Sequence, residues 1–253
     1  MTDEITMRTS FVILTWNRGA MLPVCLEALY RSINDKKQSE IIIFNNASTD
    51  NTPSILAAFK EKYQDSITIR VVNNATNLGL NAYKQLMPMA KGDYIIEVDD
   101  DVLEFPDAVD DVFVKYLNTF KKFGFLCLDV VKNEHTNGAK PPEDQYHDFS
   151  VDGLTVQIGP TGGWCAGFRR KDYRIISFIF EKFTKLGFNN GEDAVISRYF
   201  RRLGKKSGVI KDVKCFHAVG PYYAKQYGSL DRDIEKYETA GITYLSDEYK
   251  NHR

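Results

Sequence analysis

The chain has 253 residues, 43% hydrophobic and 26% charged, which places it among globular proteins with room for one large α/β domain or two small ones. Its net charge of -1 offers no global attraction to nucleic acid or to an anionic membrane, and no apolar run approaches the roughly 20 residues that span a bilayer. Residues 1–10 lack the apolar core of a signal peptide, and Cys25, Cys127, Cys165 and Cys215 show no CxxC spacing, so they read as reduced thiols of a cytoplasmic protein rather than a zinc or redox site.

The first hundred residues alternate strand and helix signals. Phe11 to Leu14 is a short apolar run that reads as a buried strand. Gly19 to Ile33 carries Leu22, Leu26, Leu29 and Ile33 near helical spacing. Ile41 to Phe44 is a second buried strand. Asp50 precedes a helical stretch with Pro53 early in it, where proline is tolerated. Ile67 to Val72 reads as a third strand, and Asn77-Leu78-Gly79 leads into a third helix ending near Gly92. Tyr94 to Val98 is a fourth strand. Further on, Pro106–Phe123 reads as a helix and Asn133–Ser150, with Pro141-Pro142, as a loop. Gly159–Gly163 is a turn before Trp164. Tyr173–Leu186 and Asp193–Leu203 read as helices, and Val209–Phe216 as a strand. The tail after Gly220 is polar and tyrosine-rich. It suits a lid, a dimer contact or plain packing. No linker or repeat divides the chain, so one domain over residues 1–253 is the simplest organisation.

Strand–helix alternation with apolar strands implies a mostly parallel sheet covered on both faces, and ligands of such sheets bind beyond the carboxyl ends of the strands. Four polar segments fall on that edge: Thr15–Arg18, Asn45–Asp50, Asn73–Asn77 and Asp99-Asp100-Asp101. The aspartate triplet is the most telling. Like charges this close repel, and a hard divalent cation, Mg²⁺ or Mn²⁺, resolves the repulsion and usually brings phosphates with it. The alternative is a solvated acidic turn.

These pieces, in this order, resemble the inverting family-2 glycosyltransferases of the GT-A fold. The resemblance rests on Phe11 to Arg18, Glu40 to Thr52, Asn77-Leu78-Gly79, and Gly92-Asp93-Tyr94 leading to Asp99-Asp100-Asp101, which looks like the family's DXD motif. Gly167 to Arg170, Gly191-Glu192-Asp193, Arg198 to Gly204 and Phe216-His217 follow, so roughly residues 9 to 220 are covered. Each motif alone is weak, and the series is strong.

The resemblance implies transfer of a sugar from a nucleotide-diphosphate sugar to a glycan, lipid-linked or protein acceptor, assisted by Mn²⁺ or Mg²⁺. It implies a nucleotide-binding half over about residues 9–101, an acceptor-binding half over about 102–220, and a tail over 221–253. Asp99 and Asp101 are the expected metal carboxylates, since residues at i and i+2 of an extended segment point the same way. Asp100 then points elsewhere, towards ribose or sugar, and His217 is the expected third ligand. Asp193 is the expected general base, with Glu192 orienting the acceptor. Thr15, Asn17, Arg18, Asn45, Asn46 and Asn77 are expected nucleotide contacts. Asp50 is either another contact or a helix cap, and Trp16 either a stacking face or core. Many relatives carry Asp where this chain has Asn45, which removes the ground for assigning uridine by default. Gly163 and Trp164 are expected to border the sugar or acceptor, against the alternative of a turn and a buried Trp. Arg201, Arg202, Lys205 and Lys206 read as a solvated helix end, or as a contact for an anionic acceptor or membrane surface.

Two other functions compete. A sugar-nucleotide pyrophosphorylase has a similar fold, but its loop after the first strand is rich in glycine and arginine, whereas Thr15 to Ala20 holds one glycine. A non-catalytic nucleotide- or glycan-binding relative is the other, and Asp99, Asp101, Asp193 and His217 weigh against it.

Overall fold

The structure, a computed structural model, describes residues 7–253. Strands β1 (Thr9–Thr15), β2 (Ser39–Asn45), β3 (Thr68–Asn73) and β4 (Tyr94–Asp99) alternate with α1 (Leu22–Ser32), α2 (Thr52–Tyr63) and the short α3 (Tyr83–Leu86). The expected third helix is broken, because α3 lies between two 3-10 turns at Gly79–Ala82 and Met87–Met89. Then come β5 (Val102–Glu104), α4 (Val109–Thr119), β6 (Phe123–Val130), β7 (His147–Val151), β8 (Leu154–Ile158) and β9 (Cys165–Arg169). Helices α5 (Arg170–Phe183) and α6 (Glu192–Arg202) precede the long β10 (Lys206–His217). The tail folds into α7 (Pro221–Gln226), α8 (Leu230–Thr239) and α9 (Thr243–Lys250).

One sheet joins the strands in the order β3-β2-β1-β4-β9-β6-β10-β8-β7, with β5 on the end of β10. The pairs β3–β2, β2–β1, β1–β4 and β6–β10 are parallel, while β9 and β8 run against their neighbours. The sheet is therefore mostly parallel and mixed, flanked by helices. The central strands are buried throughout, as the continuous apolar runs require, with Phe11, Ile13, Ile41, Ile43, Ile95 and Val98 in the core.

Register fixes the site. Thr15 lies opposite Asn45, Asn45 opposite Asn73, and Leu14 opposite Asp99, so four strand ends stop level at one edge. Five strands were not expected. The helix expected to run to Phe123 stops at Thr119, and Phe123 instead opens β6. Residues expected as loop include β7, which pairs with β8 as an outer hairpin. β9 runs between β4 and β6, where Gly167 lets α4 approach: a Cβ there would meet the Phe113 ring at 2.5 Å.

Candidate active site

Asp99 ends β4, and the turn through Asp100 and Asp101 enters β5. β5 pairs antiparallel with the last residues of β10, setting Val102 opposite His217, and the Ala218 amide donates to the Asp101 carbonyl at 2.9 Å. Two distant strand ends are thereby stitched together. His217 Nε2 lies 3.1 Å from Asp101 Oδ1 and 3.8 Å from Asp99 Oδ2. Its Nδ1 lies 3.0 Å from the Gly138 carbonyl, which can only accept, so Nδ1 carries a proton and Nε2 is the nitrogen turned to the carboxylates.

One ligand atom from each of Asp99, Asp101 and His217 lies within 4.8 Å of the others. Two carboxylate oxygens and an oriented imidazole fit a small divalent cation. The crowding of negative charge also shows in the titration of these groups. Burial and then the neighbouring Asp101 push Asp99 up to about 7. Burial pulls His217 down, but Asp101 and Asp99 outweigh it and raise it to about 9.

Asp100 faces away from the cluster. Its Oδ1 is 3.3 Å from Arg18 Nε, while Arg18 Nη2 reaches Asp101 at 3.1 Å. Arg18 also contacts Asp233 of α8 at 3.2 Å and the Ser229 hydroxyl at 3.0 Å. Arg18 was expected on the nucleotide, but its guanidinium is buried among three carboxylates. The tail supplies two more cations. Arg232 donates to the Trp16 carbonyl at 3.1 Å and lies over the Trp16 ring at 5.2 Å. Lys236 remains open to solvent, but the crowded cleft around its ammonium, then Arg232 and Arg18, lower its pKa, and it acts electrostatically on both Asp99 and Asp101.

Across the site, α6 begins at Glu192. Asp193 is half-buried, and burial raises its pKa against the backbone amides of Ala194, Asp193 and Gly163. Acidic residues at a helix start are favoured by the helix dipole. Glu192 is buried rather than turned to the cleft, and it faces Glu97 on β4. Burial and then Asp193 push Glu192 up to about 8, while burial and then Glu192 push Glu97 well above the carboxylate range. Both Glu97 oxygens and Glu192 Oε2 are buried without a hydrogen bond of good geometry. One proton shared across the pair relieves this arrangement. Gly163 caps the dyad, since a Cβ there would stand 3.1 Å from Glu97 Oε1 and 3.3 Å from Glu192 Oε1.

Other expected contacts are placed differently. Trp164 is no open platform: its indole is 3% exposed and donates to the Leu128 carbonyl at 2.9 Å. Asn45 accepts from the Ser48 amide at 3.1 Å and donates to Asn73 at 2.9 Å. Asn46 donates to Asn77 at 2.8 Å and accepts from the Leu78 amide at 2.9 Å. These four asparagines brace the strand-end loops instead of standing free for a base. Asp50 accepts from the amides of Thr52, at 3.0 Å, and Gly19, at 2.9 Å, so it ties the start of α2 to the loop after β1. Thr15 is buried at the end of β1. Asn17, Arg18 and Asp50 line an open cleft of about 280 Å³, walled opposite by Tyr227, Gly228 and Ser229.

The sequence expectations omitted Glu97, Arg232, Asp233 and Lys236. A glutamate inside the apolar run Tyr94 to Val98 was a legible signal. The α8 residues gave none, because solvated charges in a polar tail look alike until the helix docks.

Residues 10–176 match the family described as Glycosyl transferase family 2, and the chain belongs to that family. Among curated proteins it is 33% identical over 146 residues to the poly(ribitol-phosphate) beta-glucosyltransferase of Bacillus spizizenii, 58% of this chain and 22% of that protein. It is 31% identical over 153 residues to an uncharacterized protein of Mycobacterium tuberculosis, 58% of this chain and 43% of that one. The match thus spans less than half the length of these relatives. Among solved structures, the mannosyltransferase PcManGT of Pyrobaculum calidifontis, in complex with GDP-Man and Mn²⁺, superposes with a TM-score of 0.63 at 17% identity, covering 97% of this chain and 73% of that one. S. aureus TarS 1–349 in complex with UDP-GlcNAc gives 0.60 at 15%, covering 97% and 72%. These likenesses establish the fold, that of GT-A glycosyltransferases.

Proposed function

We propose that this chain moves a sugar from a nucleotide-diphosphate sugar to an acceptor hydroxyl with inversion, assisted by a divalent cation. The observation that carries the reading is the meeting of Asp99, Asp101 and His217 at the strand-end edge, with Asp193 on the opposite helix start. A cation held by those three residues supplies charge neutralisation on the diphosphate oxygens. Arg18, Arg232 and Lys236 surround the triplet and add positive potential where the leaving group gains charge. Asp193 takes the proton of the acceptor hydroxyl, and the freed oxygen attacks the anomeric carbon from the face opposite the diphosphate. The new carbon–oxygen bond forms as the bond to the diphosphate breaks, and nucleoside diphosphate leaves. The raised pKa of Asp193 makes it a stronger base than a solvated carboxylate. Asn17, on the open cleft, borders the donor, while Gly163 gives it a close backbone approach over the dyad of Glu97 and Glu192.

The test is a thermal-shift screen of nucleotide sugars with and without Mn²⁺, followed by a transfer assay on the best donor. A metal-dependent rise in melting temperature is expected for one donor. No shift across the panel, together with no transfer, would reject the reading.

A further inference from the structure

Helix α5 buries one face and leaves the other bare. Asp172, Tyr173, Ile176 and Phe180 face the core. On the outer side Ile175 is 63% exposed, Phe178 66%, Ile179 49% and Phe183 73%. Just past the helix, Phe188 is 43% exposed. Half of the large exposed hydrophobics among the described residues thus lie on this single stretch, where scattered placement would be unremarkable.

The same outer side is basic. Lys171, Arg174, Lys182 and Lys185 are exposed, and none forms an ion pair among the described residues. The acids of the helix are turned away or occupied. Asp172 is buried against Arg169 and Lys205, and Glu181 accepts from the Tyr173 hydroxyl at 3.1 Å. The chain as a whole carries a net charge of -1, so this positive surplus is local.

We propose that the outer face of α5 docks the protein on an anionic lipid surface. Phe178, Phe183 and the two isoleucines enter the headgroup boundary, and the lysines and arginine stay at the level of the lipid phosphates. This is the division of labour of an interfacial amphipathic helix, in which apolar area and basic charge act together. Charge argues against a second copy as the occupant: pairing two such faces would oppose two sets of unpaired cations with no acid between them. A lipid phosphate layer supplies the missing counter-charge. Docking of this kind needs neither donor nor acceptor, so its test stands apart from the proposed reaction.

The full chain is sedimented with vesicles of phosphatidylcholine alone, or of phosphatidylcholine mixed with phosphatidylglycerol. It should partition to the anionic vesicles, and added NaCl should weaken binding. Phe178→Ser with Phe183→Ser, and separately Lys171→Ala with Arg174→Ala and Lys182→Ala, should each lower partitioning about tenfold or more. Because these side chains are exposed, far-UV circular dichroism and melting temperature should match the parent. Arg201→Ala with Arg202→Ala should leave binding unchanged. The proposal is overturned if the chain stays in the supernatant with anionic vesicles, or if both α5 variants bind like the parent. A dimer in gel filtration that Phe178→Ser with Phe183→Ser converts to monomer would equally overturn it, by showing that a second copy covers the face.

Discussion

Arg18 contacts three carboxylates at once, two from the turn after β4 and one from α8. Removing a buried cation leaves buried charges of one sign facing each other, which costs about 3 kcal/mol or more. Arg18→Met should therefore lower stability by that order in urea denaturation. Mn²⁺ should restore part of it, giving a larger thermal shift than in the parent. The dyad of Glu97 and Glu192 makes a pH prediction. Glu192 stands at about 8 when folded, above the ordinary carboxyl value near 4.3. Between those values the folded chain holds a proton that the unfolded chain has lost, so stability falls as pH rises through that window and levels off above it. Glu192→Gln removes this dependence. Its melting temperature should gain on the parent's between pH 5 and pH 8 by differential scanning calorimetry, a window set by the raised value. An unchanged gap would show that Glu192 does not titrate there. Under the proposed reaction, Asp193→Asn should abolish transfer and leave the donor-induced thermal shift intact, because the proposed base would act on the acceptor and not on the diphosphate. Retained transfer would remove Asp193 from that role.

At the scale of elements, the shortest strand has the largest effect on the site. β5 is three residues long, yet its pairing with β10 brings His217 to the triplet. α8 works similarly, presenting Arg232, Asp233 and Lys236 from a small cluster built on Leu230, Ile234, Tyr237 and Tyr249. Lys236 is open to solvent, so Lys236→Ala should leave stability nearly unchanged while, under the proposed reaction, lowering kcat about a hundredfold through loss of positive charge beside Asp99 and Asp101. An unchanged kcat would confine α8 to packing. β9 tests the packing side. Gly167→Ala would place a methyl against the Phe113 ring, and overpacking of that kind costs about 1–3 kcal/mol by urea denaturation.

For the whole molecule, much of the architecture could be read from the sequence. The first four strands show as apolar runs, and α5, α6 and β10 as periodic or β-branched stretches. The strands that escaped have physical reasons. Cys165–Arg169 holds a glycine and a terminal arginine in five residues, and becomes a strand only because β4 and β6 offer hydrogen-bond partners on both sides. Phe123–Val130 continues the apolar character of α4, and nothing local marks where helix gives way to strand.

The site divides in the same way. Of the residues that could hold a cation, Asp99 and Asp101 were nameable from their spacing in the acidic turn, whereas His217 and the helix-start carboxylate Asp193 were nameable only through the resemblance to the family. What they touch was not. Trp164 turns into the core, Asn45 donates to Asn73, and Asn46 donates to Asn77. Arg18 is held by Asp100, Asp101 and Asp233, and Glu192 lies against Glu97. Local sequence determined the strand runs, the acidic turn and the family. Tertiary structure alone decided the partners of each charge, because a buried ionisable group is governed by what folding places within a few ångströms of it, and those neighbours come from remote parts of the chain.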